Sequence, residues 1–304
     1  MTTSGTTRDR ADDAGDPLVS RVVGSFDRCQ DPRLKTVMGS LTEHLHAFLQ
    51  EVRPTETEWA KALEFLVSVG QFTNDERREL VLLCDVLGAS AQVVALNTVP
   101  GGSTPQTVIG PYVIDDSPEI AVGGVLPRVE GVPCWIEGTV TDAAGRPVRG
   151  ARVEVWETDD YRRAGAEYGN ERAAPRAHVM TDSSGRYAFW GSVPSPIEVP
   201  QDGPVGTLLH ALGRAGHRAP HLRLRVSAQH LRTVVTHVFV AGHPLLEDDC
   251  VFGVRDGLVQ RFVHHPGGTP APDGRALDGE WASVRFDVAL APAGSARALT
   301  APLS

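Results

Sequence analysis

Residues 221–226 combine an imidazole and two guanidiniums in one short segment. His221, Arg223 and Arg225 alternate there with apolar residues. A β-strand points successive side chains to opposite faces, so a strand here carries all three polar groups on one face. A guanidinium stays protonated and offers only hydrogen-bond donors, whereas an imidazole exchanges protons near neutral pH. The pattern predicts a site that holds negative charge on a ligand and transfers protons.

The segments around this strand resemble, in the same order, those of the intradiol ring-cleavage dioxygenases, and most closely those of the hydroxyquinol and catechol 1,2-dioxygenases. They read Asp-Pro-Arg-Leu at 31–34, Ile-Gly-Pro-Tyr at 109–112, Val-Glu-Val-Trp at 153–156, Asp-Gly-Pro at 202–204 and Ala-Pro-His at 219–221. The resemblance covers residues 18–288. It implies a helical N-terminal segment that forms a homodimer interface, followed by an antiparallel β-sandwich of the intradiol dioxygenase type.

In that family two tyrosines and the two histidines of a His-x-His strand hold a ferric ion. The resemblance places Tyr187 at the second tyrosine and His221 at the first histidine. Arg223 stands at the second histidine, where a guanidinium cannot ligate a cation. Tyr187 and His221 are therefore expected as metal ligands only if iron is bound, and otherwise as catalytic groups together with Arg223.

The first tyrosine of the family follows the strand tryptophan by eight positions, and that position is Ala164 here. Tyr161 is the nearest replacement ligand, and Tyr168 follows four positions later. Metal affinity depends on the number and geometry of the ligands, so an incomplete set predicts poor retention of iron. We therefore favour no cofactor, with Fe(III) as the cofactor if ring cleavage has been retained.

Other positions of the family's substrate pocket are retained. Arg218 matches an arginine that lies behind the bound substrate in relatives, and it is expected to take part in catalysis. Asp85 matches an acid that faces the ring hydroxyl in hydroxyquinol enzymes. Whether His237, on the next predicted strand, reaches the site is left open. The expected pocket lining is completed by Ile109, Gly110, Pro111, Tyr112, Ile197, Val199 and Pro200.

The spacing of apolar residues differs between the first third of the chain and the rest. Between residues 18 and 97 apolar side chains recur every three or four positions, which predicts helices, one of them starting near Thr55. After residue 100, alternating segments predict strands at 134–140, 151–156, 186–190, 221–226, 234–240 and 284–288. We predict a helical domain over 18–100 and a β-sandwich over 101–290, with a disordered tail over 1–17 and a loose tail over 291–304.

Composition narrows the classes of partner. The chain has 304 residues, of which 41% are hydrophobic, so it can bury a substantial core. A net charge of -9 without a long basic block argues against nucleic acid. No apolar run approaches the roughly 20 residues that span a bilayer, and no apolar leader opens the chain, so we expect a cytoplasmic protein without a membrane partner. Four scattered cysteines predict neither a disulfide framework nor structural zinc.

Three functions are compatible with these residues. We favour an enzyme that uses an Arg/His/Tyr site for iron-independent acid–base chemistry on a small polyhydroxylated aromatic or polyketide-like substrate. The alternative is a divergent Fe(III) catechol or hydroxyquinol 1,2-dioxygenase that cleaves the aromatic ring with dioxygen. The third is a non-catalytic family member that binds a small molecule. Metal content and oxygen consumption distinguish the three.

Overall fold

The computed structural model describes residues 16–74, 77–98, 102–108, 117–127, 131–156 and 176–294. They form two compact units, one that extends to Leu66 and one that begins at Val67. This division falls inside a helix, whereas helices continue to Leu96. The predicted domain boundary at residue 100 therefore stays a prediction. Most of the two predicted tails lies outside the described residues.

The first unit is helical, as the apolar spacing predicts. Its helices are α1 (Pro17–Gly24), α2 (Pro32–Val52) and most of α3 (Glu56–Phe72), with a 3-10 turn at Ser25–Arg28. The side chain of Asp31 caps α2 by accepting hydrogen bonds from the amides of Arg33 and Leu34. Thr55 and Glu58 cap α3 reciprocally, each side chain accepting from the other's amide. The predicted helix start is confirmed.

The second unit combines short helices with two β-sheets. Its helices are α4 (Glu79–Val86), α5 (Ala89–Leu96) and α6 (Pro204–Ala211), with 3-10 turns at Pro244–Leu246 and Asp256–Leu258. Its strands are β1 (Gly124–Val125), β2 (Pro133–Asp142), β3 (Arg152–Trp156), β4 (Arg176–Met180), β5 (Arg186–Ser192), β6 (Ile197–Glu198), β7 (His217–Arg218), β8 (His221–Ser227), β9 (Val234–Val240), β10 (Val259–Gln260), β11 (Val263–His265), β12 (Trp281–Arg285) and β13 (Val288–Leu290).

One sheet has the strand order β1-β5-β2-β12-β11, with β13 also paired to β2, and the other has the order β10-β9-β8-β3-β4. Strands β6 and β7 form a separate two-stranded antiparallel sheet. The central pairings, β2 with β5 and β8 with β3 and β9, are antiparallel as predicted. Parallel pairing joins β1 to β5, β10 to β9, and both β12 and β13 to β2. Both sheets of the sandwich are therefore mixed, and the parallel pair of β2 and β12 lies in the interior of its sheet.

The main apolar core lies between the two sheets. Leu222, Leu224 and Val226 of β8 belong to it, together with side chains of β2 and β5 from the opposite sheet. Successive side chains of a strand face opposite sides. His221 and Arg223 must therefore lie on the outer face of their sheet, as the alternation predicts.

The predicted strand at 284–288 is confirmed only in part, because two residues between β12 and β13 are not in a strand. β12 ends at Arg285 and β13 begins at Val288. Between them, the Asp287 carboxylate accepts the amide of Thr139, and the Phe286 carbonyl accepts a side-chain hydroxyl. The sequence does not reveal this interruption, because both flanking strands pair in parallel with β2 and the alternation of apolar residues continues across it.

Within the described ranges, no single helix is both long and apolar enough to cross a bilayer. Helices α4 and α5 pass that test only as a pair, with a 74° bend between them.

Gly138 of β2 faces the interruption between β12 and β13 at close range. A Cβ there would collide with the Phe286 carbonyl and lie 2.8 Å from the Tyr187 hydroxyl. We expect Gly138→Ala to lower the free energy of unfolding by about 2 kcal/mol or more, because the backbone of a packed sheet must move. Chemical denaturation measures this loss. Gly279→Ala is the control, since a Cβ there meets nothing within 4 Å, and an equal loss in both variants would contradict the explanation.

Candidate active site

Several of the polar residues singled out in the sequence lie on or near the outer face of the β10-β9-β8-β3-β4 sheet, called the second sheet from here on. β8 pairs with β9 so that Arg223 lies opposite His237, and with β3 so that Arg223 also lies opposite Trp156. His221, two residues before Arg223 on β8, lies opposite Phe239. We call His221, His237, Arg218 and Arg223, with the acids Asp85 and Asp249, the His–Arg cluster.

The two imidazoles of the cluster are fully buried and close together. The ring centroids of His221 and His237 are 4.3 Å apart, and Nδ1 of His221 lies 2.6 Å from the carbonyl oxygen of Ala219. Because a carbonyl only accepts, Nδ1 of His221 carries the proton and Nε2 carries the lone pair. No hydrogen-bond partner of either His237 nitrogen is found among the described residues. His237 therefore lies beside His221, a contact that the sequence left open.

Burial lowers the pKa of both imidazoles well below the ordinary value. For His221 the charges of Arg218 and Arg223 lower the pKa further, and the hydrogen bond to Ala219 only partly opposes them. For His237 the neighbouring His221 and the same two guanidiniums act in the same direction as burial. Both rings are therefore neutral near neutral pH, and the positive charge of the cluster comes from the arginines.

Arg218 is held in place by a buried carboxylate. Its Nε lies 3.4 Å from Oδ1 of Asp249. That carboxylate also accepts the backbone amides of Ala219 and Val251, at 3.2 Å and 3.0 Å. Nη2 of Arg218 is buried against Gly253 and finds no partner in the described part of the chain. Asp249 thus neutralises the cation while one end of the guanidinium stays available for a ligand.

Arg223 and Asp85 complete the cluster. Arg223 is only 4% exposed, and its Cζ lies 5.9 Å from the centroid of the Trp156 ring. Asp85 lies near the end of α4, and burial raises the pKa of its carboxyl. A hydrogen bond from Ser90 and the charges of Arg218 and Arg223 partly oppose that rise in pKa. The predicted acid therefore does lie beside the guanidiniums.

Tyr187 was predicted as a site residue, but it does not join the His–Arg cluster. It lies on β5 of the opposite sheet, buried in the core between the sheets. Its hydroxyl donates a hydrogen bond to the Phe286 carbonyl at 2.6 Å, and burial raises its pKa above the ordinary value. The register that pairs Tyr187 with Gly138 turns the ring inward, whereas His221 lies on the outer face of the other sheet.

The remaining predicted residues divide into two groups. Ile197 is buried directly opposite Arg218 in the two-stranded β6–β7 sheet, and half-buried Pro200 follows β6. Ile109, Gly110, Pro111, Tyr112, Tyr161 and Ala164 lie outside the described residues. The sequence did not reveal the role of Asp249, because its contacts with Arg218 and Ala219 are distant along the chain.

The described donors do not fit a ferric ion by themselves. Within the described ranges no group of three or more His, Cys, Asp or Glu side chains is placed to hold a metal. The cluster offers two imidazoles, but two buried guanidiniums lie beside them, and like charge repels a cation. Tyr187 is the one tyrosine among the described residues, and it faces the interior.

The chain is similar to known proteins over most of its length. Residues 31–100 match a family model described as "Catechol dioxygenase N terminus", and residues 124–292 match one described as "Dioxygenase". Hydroxyquinol 1,2-dioxygenase from Nocardioides simplex is 52% identical over 278 residues, covering 91% of this chain and 95% of that protein. The corresponding enzyme from Rhodococcus opacus is 51% identical over 90% of this chain and 93% of its own length.

A solved structure shows the same architecture. Hydroxyquinol 1,2-dioxygenase from Pseudomonas putida aligns with a TM-score of 0.83 and 33% identity, covering 90% of this chain and 97% of that chain. The predicted fold class, N-terminal helices followed by a β-sandwich, is confirmed.

The placement of Tyr187 yields a direct test. We expect Tyr187→Phe to lower the free energy of unfolding by about 1–3 kcal/mol, because the Phe286 carbonyl loses its buried donor. Turnover and ligand binding should stay within about twofold of the parent, as the ring is remote from the His–Arg cluster. Denaturation and steady-state kinetics measure the two effects, and a large loss of activity at unchanged stability would restore Tyr187 to the site.

The neutral imidazoles make stability depend on pH. The pKa of each imidazole is lower in the folded protein than in the unfolded chain. As the pH falls, the unfolded chain therefore binds a proton before the folded protein does, and this favours unfolding. For each such ring, stability then declines below pH about 6.5, by up to about 1.4 kcal/mol per pH unit. We expect His237→Gln to flatten this decline between pH about 7 and 5 in denaturation experiments. His210→Gln, at an exposed position, should leave the slope unchanged, and equal slopes in the parent and His237→Gln would refute the explanation.

Proposed function

The chain belongs to the intradiol ring-cleavage dioxygenase family, and from this we propose that it is an enzyme acting on a hydroxyquinol- or catechol-type aromatic ring. One observation carries the proposal: the hydroxyquinol 1,2-dioxygenase from Nocardioides simplex is 52% identical across 91% of the chain. The His–Arg cluster supports it with a set of buried polar groups around His221 and His237. Asp85 supplies an acid beside the guanidiniums where a ring hydroxyl can be recognised.

Ring cleavage with dioxygen is the first candidate reaction, because the relatives named above are 1,2-dioxygenases. Fe(III) is the cofactor that such a reaction implies, so these relatives do not support the expectation of no cofactor. The described donors alone do not fit that ion, and we assign no catalytic step to it. On this proposal the chain's own contribution is to bind and orient the ring, with Arg218 and Arg223 offering donors to its oxygens.

Iron-independent acid–base chemistry is the second candidate, and a specific observation favours it. Two buried guanidiniums lie beside two neutral imidazoles, an arrangement that stabilises negative charge and accepts protons. His221 would act as the proton acceptor through Nε2, since its Nδ1 already donates to Ala219. Polyhydroxylated aromatic or polyketide-like molecules are the substrates of this candidate.

The assembly belongs to the same proposal. We propose a cytoplasmic homodimer with a small-molecule substrate and without nucleic acid or membrane partners, as the resemblance and the composition imply. The N-terminal helices support it through large apolar side chains that are exposed in the single chain, namely Leu41, Leu45, Phe48, Leu63 and Leu66. Sedimentation of the full chain tests the dimer.

Metal analysis combined with oxygen measurements tests the reaction. For ring cleavage we expect bound iron by elemental analysis and equimolar consumption of dioxygen and hydroxyquinol or catechol in an oxygen electrode. Full iron occupancy without oxygen consumption would rule out ring cleavage. Turnover under nitrogen by metal-free protein would establish the second candidate, and saturable binding without product in either gas would identify a non-catalytic binder.

The substitution Arg223→His tests whether Arg223 limits the binding of iron. Replacing a fixed cation by an imidazole next to His221 removes charge repulsion and adds a donor nitrogen. We expect iron retained after gel filtration to rise at least severalfold. Arg225→His is the matched control, because Arg225 lies on the same strand but pairs with Glu154. Equal iron retention in the parent and Arg223→His would show that Arg223 does not limit metal binding.

A further inference from the structure

We propose that Arg214 is a positioning residue, which sets where Asp85 stands relative to Arg218 in the His–Arg cluster. Its guanidinium joins the end of α4 to the turn at 249–253. This inference rests on the proposed function, in which Asp85 and Arg218 recognise the oxygens of an aromatic ring. It adds that the choice among rings depends on a residue outside the cluster.

The guanidinium of half-buried Arg214 donates to two backbone carbonyls. Nη1 lies 2.6 Å from the carbonyl oxygen of Val86, the residue that follows Asp85 and ends α4. Nη2 lies 3.0 Å from the carbonyl oxygen of Cys250, which follows Asp249. A guanidinium presents its donors in a rigid planar fork, so the two carbonyls are held in a fixed relation. Each acid of the cluster is therefore one residue away from an anchored carbonyl.

The end of α4 depends on a donor from outside the helix. The last carbonyls of a helix have no partner within it, and a nearby cation also interacts favourably with the helix dipole. α4 has no basic residue in its last turn. It meets α5 at a bend of 74°, so α5 does not continue its hydrogen-bond pattern. Arg214 supplies both the charge and the donor that this helix end lacks.

Phe252 packs on the same guanidinium in a strained conformation. Its ring centroid lies 4.8 Å from Cζ of Arg214, within the range of a cation–π contact. Its φ is 56°, in the left-handed region that residues other than glycine seldom adopt. A Cβ on Gly88, just after α4, would lie 3.3 Å from Cδ2 of this ring. Such strain persists only where the surroundings fix the backbone, so the ring also links the turn to the end of α4.

The turn at 249–253 in turn encloses Arg218. The Asp249 carboxylate lies 3.4 Å from Nε of Arg218 and accepts the amide of Val251 at 3.0 Å. A Cβ on Gly253 would lie 2.7 Å from Nη2 of Arg218, so the backbone passes close to this guanidinium. A shift of the turn therefore moves Arg218, and a shift of the end of α4 moves Asp85.

Arg232 provides a matched control, because it makes a similar contact away from the cluster. It is also half-buried, and its Nη1 donates at 3.1 Å to the carbonyl of Asn97, the residue after α5. That contact secures the end of α5 that is distant from Asp85. Loss of either guanidinium removes a contact at a helix end, but only Arg214 is joined to the segments that carry Asp85 and Asp249.

Ligand choice by the full chain tests the inference. Hydroxyquinol carries one hydroxyl more than catechol, and the proposed function assigns the recognition of a ring hydroxyl to Asp85. Titration calorimetry under nitrogen gives both dissociation constants without ring cleavage by dioxygen. We expect Arg214→Gln to reduce the preference for hydroxyquinol over catechol at least about fivefold, as for the loss of one hydrogen bond. Arg232→Gln should keep the preference of the parent within about twofold, because its site is independent.

Two further variants separate positioning from a general loss of stability. Arg214→Lys keeps a cation and one donor at the end of α4, and it should retain part of the preference that Arg214→Gln loses. In the Asp85→Asn background, Arg214→Gln should change the preference no further, because the residue through which Arg214 acts is gone. An unchanged preference in Arg214→Gln, or an equal loss in Arg232→Gln, would overturn the inference.

A measurement without substrate keeps this inference separate from the proposed function. The Nε–H group of Arg218 gives its own nitrogen NMR signal, which reports its contact with Asp249. We expect Arg214→Gln to shift this signal and to accelerate its exchange with solvent, while Arg232→Gln leaves both unchanged. If the parent binds neither ring, the proposed function fails, and the signal decides: a change supports the inference and an unchanged signal overturns it. If the parent prefers hydroxyquinol and Arg214→Gln alters neither measurement, the inference fails while the proposed function stands.

Discussion

The His–Arg cluster depends on the buried ion pair between the Asp249 carboxylate and the Arg218 guanidinium. The carboxylate compensates the guanidinium of Arg218, which would otherwise be an isolated charge in a nearly water-free environment, at a cost of several kcal/mol. The same carboxylate accepts the amide of Ala219, two residues before His221. One side chain therefore fixes both a charge and the backbone that leads into β8. The position of the first imidazole follows from this anchor.

Local patterns predicted what depends on neighbours along the chain. The alternation in β8 and the capping residues Thr55 and Glu58 are of this kind, and both are confirmed. Contacts distant in sequence are not encoded in such patterns. The break between β12 and β13 depends on the amide of Thr139, and the place of His237 depends on the register between β8 and β9. The role of Asp249 was missed for the same reason.

Tyr187 shows that a residue in a matching sequence motif need not lie beside the His–Arg cluster. A motif can place a residue on the correct strand, yet the pleat and the packing decide which face it occupies. Here the glycine at 138 leaves room for the ring inside the sandwich. Packing between the sheets sustains the fold, whereas residues on the outer face determine what is bound. A chain can thus retain half of a relative's residues and still present two guanidiniums beside its histidines.

The interruption at Phe286 and Asp287 also limits how the chain can vary in length. The strands on either side of it pair in parallel with the same long strand, β2, in one continuous register, so the number of residues between them fixes which face each side chain occupies. Inserting or deleting one residue there would turn Val288 and Leu290 from the interior toward water. Homologous chains that keep this sandwich should therefore tolerate substitutions at the interruption far more readily than changes in the number of residues.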